Sequence, residues 1–230
     1  MQKKIVTLAL GAAVALGTSG AFADNAGPND VRVGVYFVHF DDNASDISGP
    51  YAPSGLGLHV KSLETLYLAY VRSFSDHFQV ELAFGYPPVT KTEAKGPATV
   101  GSVPYNGQVI ATARWLSPTV LFEYVFGDRS ARLRPYVGIG GNYTNFYSRQ
   151  STAAGNAASG GPTAIALNPS VGVAATAGLS YEITDRWHVY ASYSVAQVNA
   201  HLRATTAGLE RSSEIHFWPN TVVVSAGYSF

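Results

Sequence analysis

The strongest constraint on this chain is an alternation of side-chain size. From Phe78 to Tyr86 every second residue is bulky and apolar (Phe78, Val80, Leu82, Phe84, Tyr86), while Gln79, Glu81, Ala83 and Gly85 stand between them. Leu66, Leu68 and Tyr70 repeat the pattern against Thr65, Tyr67 and Ala69. Val222, Val224, Ala226, Tyr228 and Phe230 repeat it against Thr221, Val223, Ser225, Gly227 and Ser229. A period of two puts successive side chains on opposite faces of a strand. A water-soluble ligand-carrying barrel keeps its large apolar groups inside. Here the other face holds mostly small or polar groups, too little to fill a soluble core. With the bulky face turned to lipid, the small face encloses a lumen.

Eight segments read as strands: Val31–Phe40, Thr65–Phe74, Phe78–Tyr86, Val109–Phe126, Arg134–Phe146, Val171–Ile183, Trp187–Val198 and Phe217–Phe230. The expected fold class is all-β, an eight-stranded antiparallel transmembrane β-barrel. Short connections at 75–77, 127–132 and 184–186 alternate with long ones at 41–64, 87–108, 147–170 and 199–216. In such barrels the short turns face the periplasm, so both termini belong on that side. Segment 151–161, rich in Ala, Gly and Ser, is expected to carry no fixed structure. Phe74, Phe78, Tyr124, Phe126, Tyr136, Tyr181, Trp187, Tyr228 and Phe230 bunch near the short turns or the C-terminus, as an interfacial aromatic girdle does.

The N-terminus has a different character. Lys3 and Lys4 precede the apolar run 5–16, and Ala21-Phe22-Ala23 offers a small-x-small cleavage site, which together predict a cleavable signal peptide over residues 1–23 and a barrel over 24–230. The apolar run falls well short of the roughly 20 residues of a spanning helix, which argues against an uncleaved anchor. Removing Lys3 and Lys4 from the 15 basic residues leaves 13 against 15 acidic ones, a balance that argues against a nucleic-acid partner. Cysteine is absent, so disulfides and thiol chemistry play no part.

Strict alternation assigns Tyr36, Val38, Tyr67, Val71 and Trp115 to the inner face. Leu121, Tyr136, Asn142, Thr176 and Tyr190 follow, with Gly138, Gly140, Ala174, Ser192 and Val223 beside them. These residues either line a passage or merely fill a plugged interior, as happens in barrels of this size. Pro118 and Pro219 fall inside the fourth and eighth predicted strands, where a residue without an N–H leaves a gap or a bulge, or ends the spanning part. Uninterrupted parity points Arg114 outward, so either Arg114 stands above the bilayer or the register changes near Pro118. The histidines near the outer rim, His39, His59, His201 and His216, lack a nucleophile motif and metal-ligand spacing. Catalytic residues, a metal and a cofactor are therefore not expected.

Several blocks carry a family resemblance. Pro118-Thr119-Val120-Leu121, Tyr124-Val125-Phe126-Gly127-Asp128, Arg134-Pro135-Tyr136-Val137-Gly138 and Asn142-Tyr143-Thr144 resemble the central segment of the OmpW family. Val80-Glu81-Leu82, Asp185-Arg186-Trp187 and the closing Ser225-Ala226-Gly227-Tyr228-Ser229-Phe230 extend it over most of the mature chain. The resemblance implies an eight-stranded bacterial outer-membrane barrel, expected as a monomer among outer-membrane lipids. It also implies a narrow, largely apolar passage that takes up small hydrophobic molecules and releases them sideways into the bilayer; the strand-breaking Pro118 and Pro219, read from the residues themselves, are the lateral-gap candidates. The alternative is a structural or adhesive barrel acting through its extracellular loops.

Overall fold

The computed structural model describes residues 27–40, 44–52, 54–100 and 102–230; the predicted signal peptide, residues 1–23, lies outside them. Eight long strands realise the alternation: β1 Asn29–His39, β2 Leu63–Ser73, β3 Phe78–Gly85, β4 Thr119–Val125, β5 Leu133–Ser151, β6 Ser170–Glu182, β7 Trp187–Ala196 and β8 Asn220–Ser229. Each pairs antiparallel with the next, and β1 pairs with β8 from Asp30↔Ser229 to His39↔Asn220, closing the barrel. Closure gives every spanning strand a partner on both sides, which is the condition for placing a sheet in hydrocarbon.

The outer surface carries the bulky set. Val31, Val33, Val35 and Phe37 of β1, Phe122 of β4, Ile139 of β5, Val171 and Val173 of β6, and Val222 and Val224 of β8 are all exposed. Their alternates Tyr67, Val71, Leu121, Tyr136 and Val223 are buried inside. Near the short turns Phe78 and Phe126 pack edge-on against Tyr124, and Trp187 against Tyr228, forming the expected girdle. Tyr136 leaves that girdle and faces the lumen, as its parity requires.

The barrel continues outward as an ordered crown. The predicted segment Val109–Phe126 is two strands, Val109–Leu116 and β4, interrupted at Ser117-Pro118. Phe217–Phe230 is likewise interrupted at Trp218-Pro219, before which Leu209–Phe217 pairs with Val198–Thr206. Ala207 and Gly208, both at positive φ, make the two-residue turn of that hairpin. The expectation that 151–161 has no fixed structure is also corrected. A short helix, α1 Ala153–Ser159, begins where Thr152 Oγ1 accepts a bond from the Gly155 amide and ends at left-handed Gly160. Gly155 comes so close to the Ile110 carbonyl that a Cβ would lie 2.1 Å from its oxygen; the glycine that made this segment look unstructured is what lets it pack.

Candidate functional site

The inward-facing residues divide the lumen into two halves of opposite character. In the periplasmic half Arg32 of β1 is only 2 % exposed. Its Nε donates to Asp30 Oδ2 at 3.1 Å and its Nη1 to Glu81 Oε2 at 2.6 Å. The Tyr67 hydroxyl donates to the other Glu81 oxygen and the Tyr190 hydroxyl to Asp30, each at 2.7 Å. The guanidinium carbon sits 3.7 Å from the Tyr190 ring centroid, adding a cation–π contact. Gln79, directly opposite Glu123 in the β3–β4 register, donates to Glu123 Oε2. Five strands thus send hydrogen-bonded side chains into one layer across the bore. A polar-lined cavity of about 520 Å³ lies below it, bordered by Asp30, Gln79, Arg134, Tyr136, His188 and Tyr190 among others, and opens at the periplasmic mouth.

Above the layer, Tyr36 and Tyr67 meet edge to face with centroids 4.8 Å apart and form the floor of a second cavity of about 100 Å³. Val38, Ala83, Leu121, Ala174 and Val223 line it. Asn142 also lines it, but its amide donates to Ser117 Oγ and Thr119 Oγ1 and its oxygen accepts from Thr144. That polar group is satisfied by the wall and adds little demand for a polar ligand. A cluster of Val38, Phe40, Val60, Val198, Ile215 and Phe217 forms the roof, with Trp115 and Phe146 packed against it. Beyond the roof the crown holds another cavity of about 120 Å³, bordered by Leu56, Leu58, Ile110 and Leu202.

The candidates named from alternation separate accordingly. Tyr36, Val38, Tyr67, Trp115, Leu121 and Asn142 border the upper cavity. Tyr136 and Tyr190 belong to the polar half, while Val71 and Thr176 face inward without bordering either space. Alternation missed the roles of Arg32, Glu81 and Glu123. The signal was present, because all three are charged residues at inward parity within otherwise apolar strands.

The wall beside the upper cavity is interrupted. The β3–β4 ladder ends at Ala83↔Thr119, and pairing resumes only at Val89↔Arg114, in the crown. Phe84–Pro88 therefore faces Trp115–Pro118 without paired register. Pro87, Pro88 and Pro118, three residues without an N–H, fall in this window. Gly85, Pro88, Trp115 and Ser117 at its margin also border the upper cavity. On the opposite side of Pro118, Tyr143 N donates to the Pro118 carbonyl at 3.0 Å, and the register to β5 is the same above and below it. Parity is therefore unchanged and Arg114 points outward. At ~3.3 Å per residue and a tilt of about 40°, it stands roughly 30 Å above Phe126, beyond an apolar band of about 25 Å. Pro219 does something different: the β1–β8 ladder stops at His39↔Asn220 just before it, while Ala196 N still donates to its carbonyl.

A closed eight-stranded meander with an apolar exterior, an aromatic girdle and a polar, partly hollow interior defines a transmembrane β-barrel of the bacterial outer membrane. The OmpW family profile matches residues 25–230, and the chain belongs to the OmpW family. It is 30% identical over 229 residues to outer membrane protein W of Escherichia coli K12, and 28% identical over 230 residues to that of Vibrio cholerae, in each case across 100% of both chains. Its fold is similar to the crystal structure of the outer membrane protein OprG from Pseudomonas aeruginosa, with a TM-score of 0.77 and 23% identity over 89% of this chain and 96% of that one.

Proposed function

We propose that this barrel is a passive conduit for small hydrophobic molecules, acting as a monomer. In this reading solute enters the upper cavity from the crown and leaves sideways through the unpaired window between β3 and β4. The observation that carries the proposal is the coincidence of three features. An apolar-lined cavity abuts a stretch of wall without ladder bonds, and directly beneath both lies a hydrogen-bonded polar layer. An apolar solute moving straight down would have to break the Arg32 network. Moving sideways, it meets Pro88, Gly85 and Ser117 and then acyl chains. Pro87 and Pro88 keep the window open in this account, Pro118, whose carbonyl bonds Tyr143 N, withholds its N–H from β5 on the other side, and Pro219 relieves β1 at the rim.

The test is uptake by liposomes carrying the purified barrel, comparing an apolar solute with a polar one of similar size. Preference for the apolar solute is expected. Replacing Pro87 and Pro88 with Val supplies the N–H groups missing from the β3 side of the window and is expected to lower apolar uptake several-fold, with Pro118→Val and Pro219→Val having smaller effects. Unchanged uptake in the Pro87/Pro88 variant removes the lateral route, and preference for the polar solute removes the hydrophobic conduit. Export by cleavage after Ala23 belongs to the same reading, and the intact mass of membrane-extracted protein is expected to correspond to a chain starting at Asp24.

A further inference from the structure

We infer that the outward face of the crown strands Val89–Lys95 and Val109–Leu116 binds the phosphate groups of a phosphorylated glycolipid in the outer leaflet. The inference is independent of any passage through the lumen.

The register assembles the site. Arg114 is paired with Val89 on one side and with Tyr147 on the other, so the three lie in one row across the sheet. Lys91 is paired with Thr112, one same-face step away from Arg114. Lys61 stands opposite Lys91, its amide donating to the Lys91 carbonyl at 3.1 Å. Their inner neighbours Val60 and Ala94 are buried, and Thr92 and Ala111 border the crown cavity, which fixes the cations on the outside. Three cations therefore meet on adjacent strands, an arrangement that costs stability when like charges are side by side. The Lys61 ammonium is compensated by Glu93 at 2.9 Å. Lys91 is exposed and makes no ion pair among the described residues. Arg114 uses Nη1 on the Pro87 carbonyl, leaving further donors of its five N–H groups free to point outward.

Height and neighbours choose the anion. By the spacing used above, Arg114 and Lys91 occupy the layer just beyond the apolar band, where lipid phosphates lie. Val89, Leu116 and Tyr147 are exposed on the same face, so the complement is an anion joined to acyl chains; a free phosphate would use only the cations. Two uncompensated cations on neighbouring strands fit a headgroup with more than one phosphate. The facing side of the crown differs, since the hairpin Val198–Thr206/Leu209–Phe217 shows Glu210 and Glu214 against Arg203. Phosphate-bearing lipid is thereby directed to one side of the barrel.

The test titrates the purified full barrel in detergent micelles with bis-phosphorylated lipid A and reads bound lipid by native mass spectrometry. Lys91→Ala, at an exposed side chain, is expected to weaken binding about fivefold, and the Lys91→Ala/Arg114→Ala pair by at least about tenfold. The Lys91→Arg/Arg114→Lys pair is expected to retain it. Dephosphorylated lipid A should bind wild type and the double alanine variant alike. Three results overturn the inference: equal retention of bis-phosphorylated lipid A by wild type and both alanine variants, with the barrel still folded by its heat-dependent gel mobility; failure of the Arg/Lys exchange to retain binding; or equally tight binding of phosphatidylglycerol at the same face.

Discussion

The two halves of the lumen are built from the same strands with the same alternation, yet they do opposite things. The periplasmic half carries bonded charge across the bore: Arg32 is held by Asp30, Glu81 and the Tyr190 ring. The outer half leaves space, because Ala83, Ala174 and Val223 are too small to fill it and Tyr36 and Tyr67 bridge only its floor. The difference teaches that inward parity alone does not define a channel. What matters is whether the inward groups bond one another across the bore. A paired charge inside a barrel holds its neighbours in place, whereas small side chains leave room without any bond having to break.

Removing the charge from the closed half should have the largest effect. Arg32→Ala leaves Asp30 and Glu81 buried without their cation, a loss of about 3–5 kcal/mol for a broken buried pair. Urea titration of the barrel in micelles is expected to show a correspondingly lower midpoint; an unchanged midpoint would mean that the layer is already hydrated and is no seal.

Glu81→Gln should cost less, about 1–3 kcal/mol, because Arg32 keeps Asp30 and the amide oxygen still accepts from Tyr67. A cost equal to that of Arg32→Ala in the same titration would show that the network acts as one unit.

In the open half, Ala174→Phe fills the cavity of about 100 Å³. The outcome expected in liposomes is a several-fold drop in apolar uptake with little change in stability, the mirror image of the Arg32 result. If uptake survives, the cavity is not on the route.

The smallest effect is expected at the roof. The Trp115 indole N–H is buried without a hydrogen-bond partner among the described residues, so Trp115→Phe loses some packing but relieves an unpaired donor. A change within about 1 kcal/mol is expected; a larger loss would reveal a polar partner, and with it a wetter outer half than the comparison assumes.

Legibility in the sequence followed the range of the forces involved. The inward positions of Tyr36, Leu121, Tyr136 and Val223 could be read because each depends only on parity with its own neighbours. Arg32, Glu81 and Glu123 were visible as charges at inward parity, but their meeting needs three strands that are far apart in sequence. Pro118 was visible as a breaker. Its partners Pro87 and Pro88 were not, because their effect arises only when β3 runs out opposite Ser117. The crown was underestimated for a related reason: Leu202, Ala204, Ile215 and Phe217 alternate as clearly as barrel residues do, but between turn-rich segments a short alternation resembles a loop until its hairpin partner is known.

By itself the sequence determined that this chain is a barrel facing lipid with its bulky side chains, how many strands cross, and which residues look inward, because the side-chain period of a strand is a local property fixed by backbone geometry. The tertiary structure alone decided that Arg32, Asp30, Glu81 and their tyrosines join in one layer across the lower lumen, that the wall is unpaired between β3 and β4, and that cations gather on one side of the crown. Each of these depends on which residue lies across from which, and that register is set only when all eight strands close on one another.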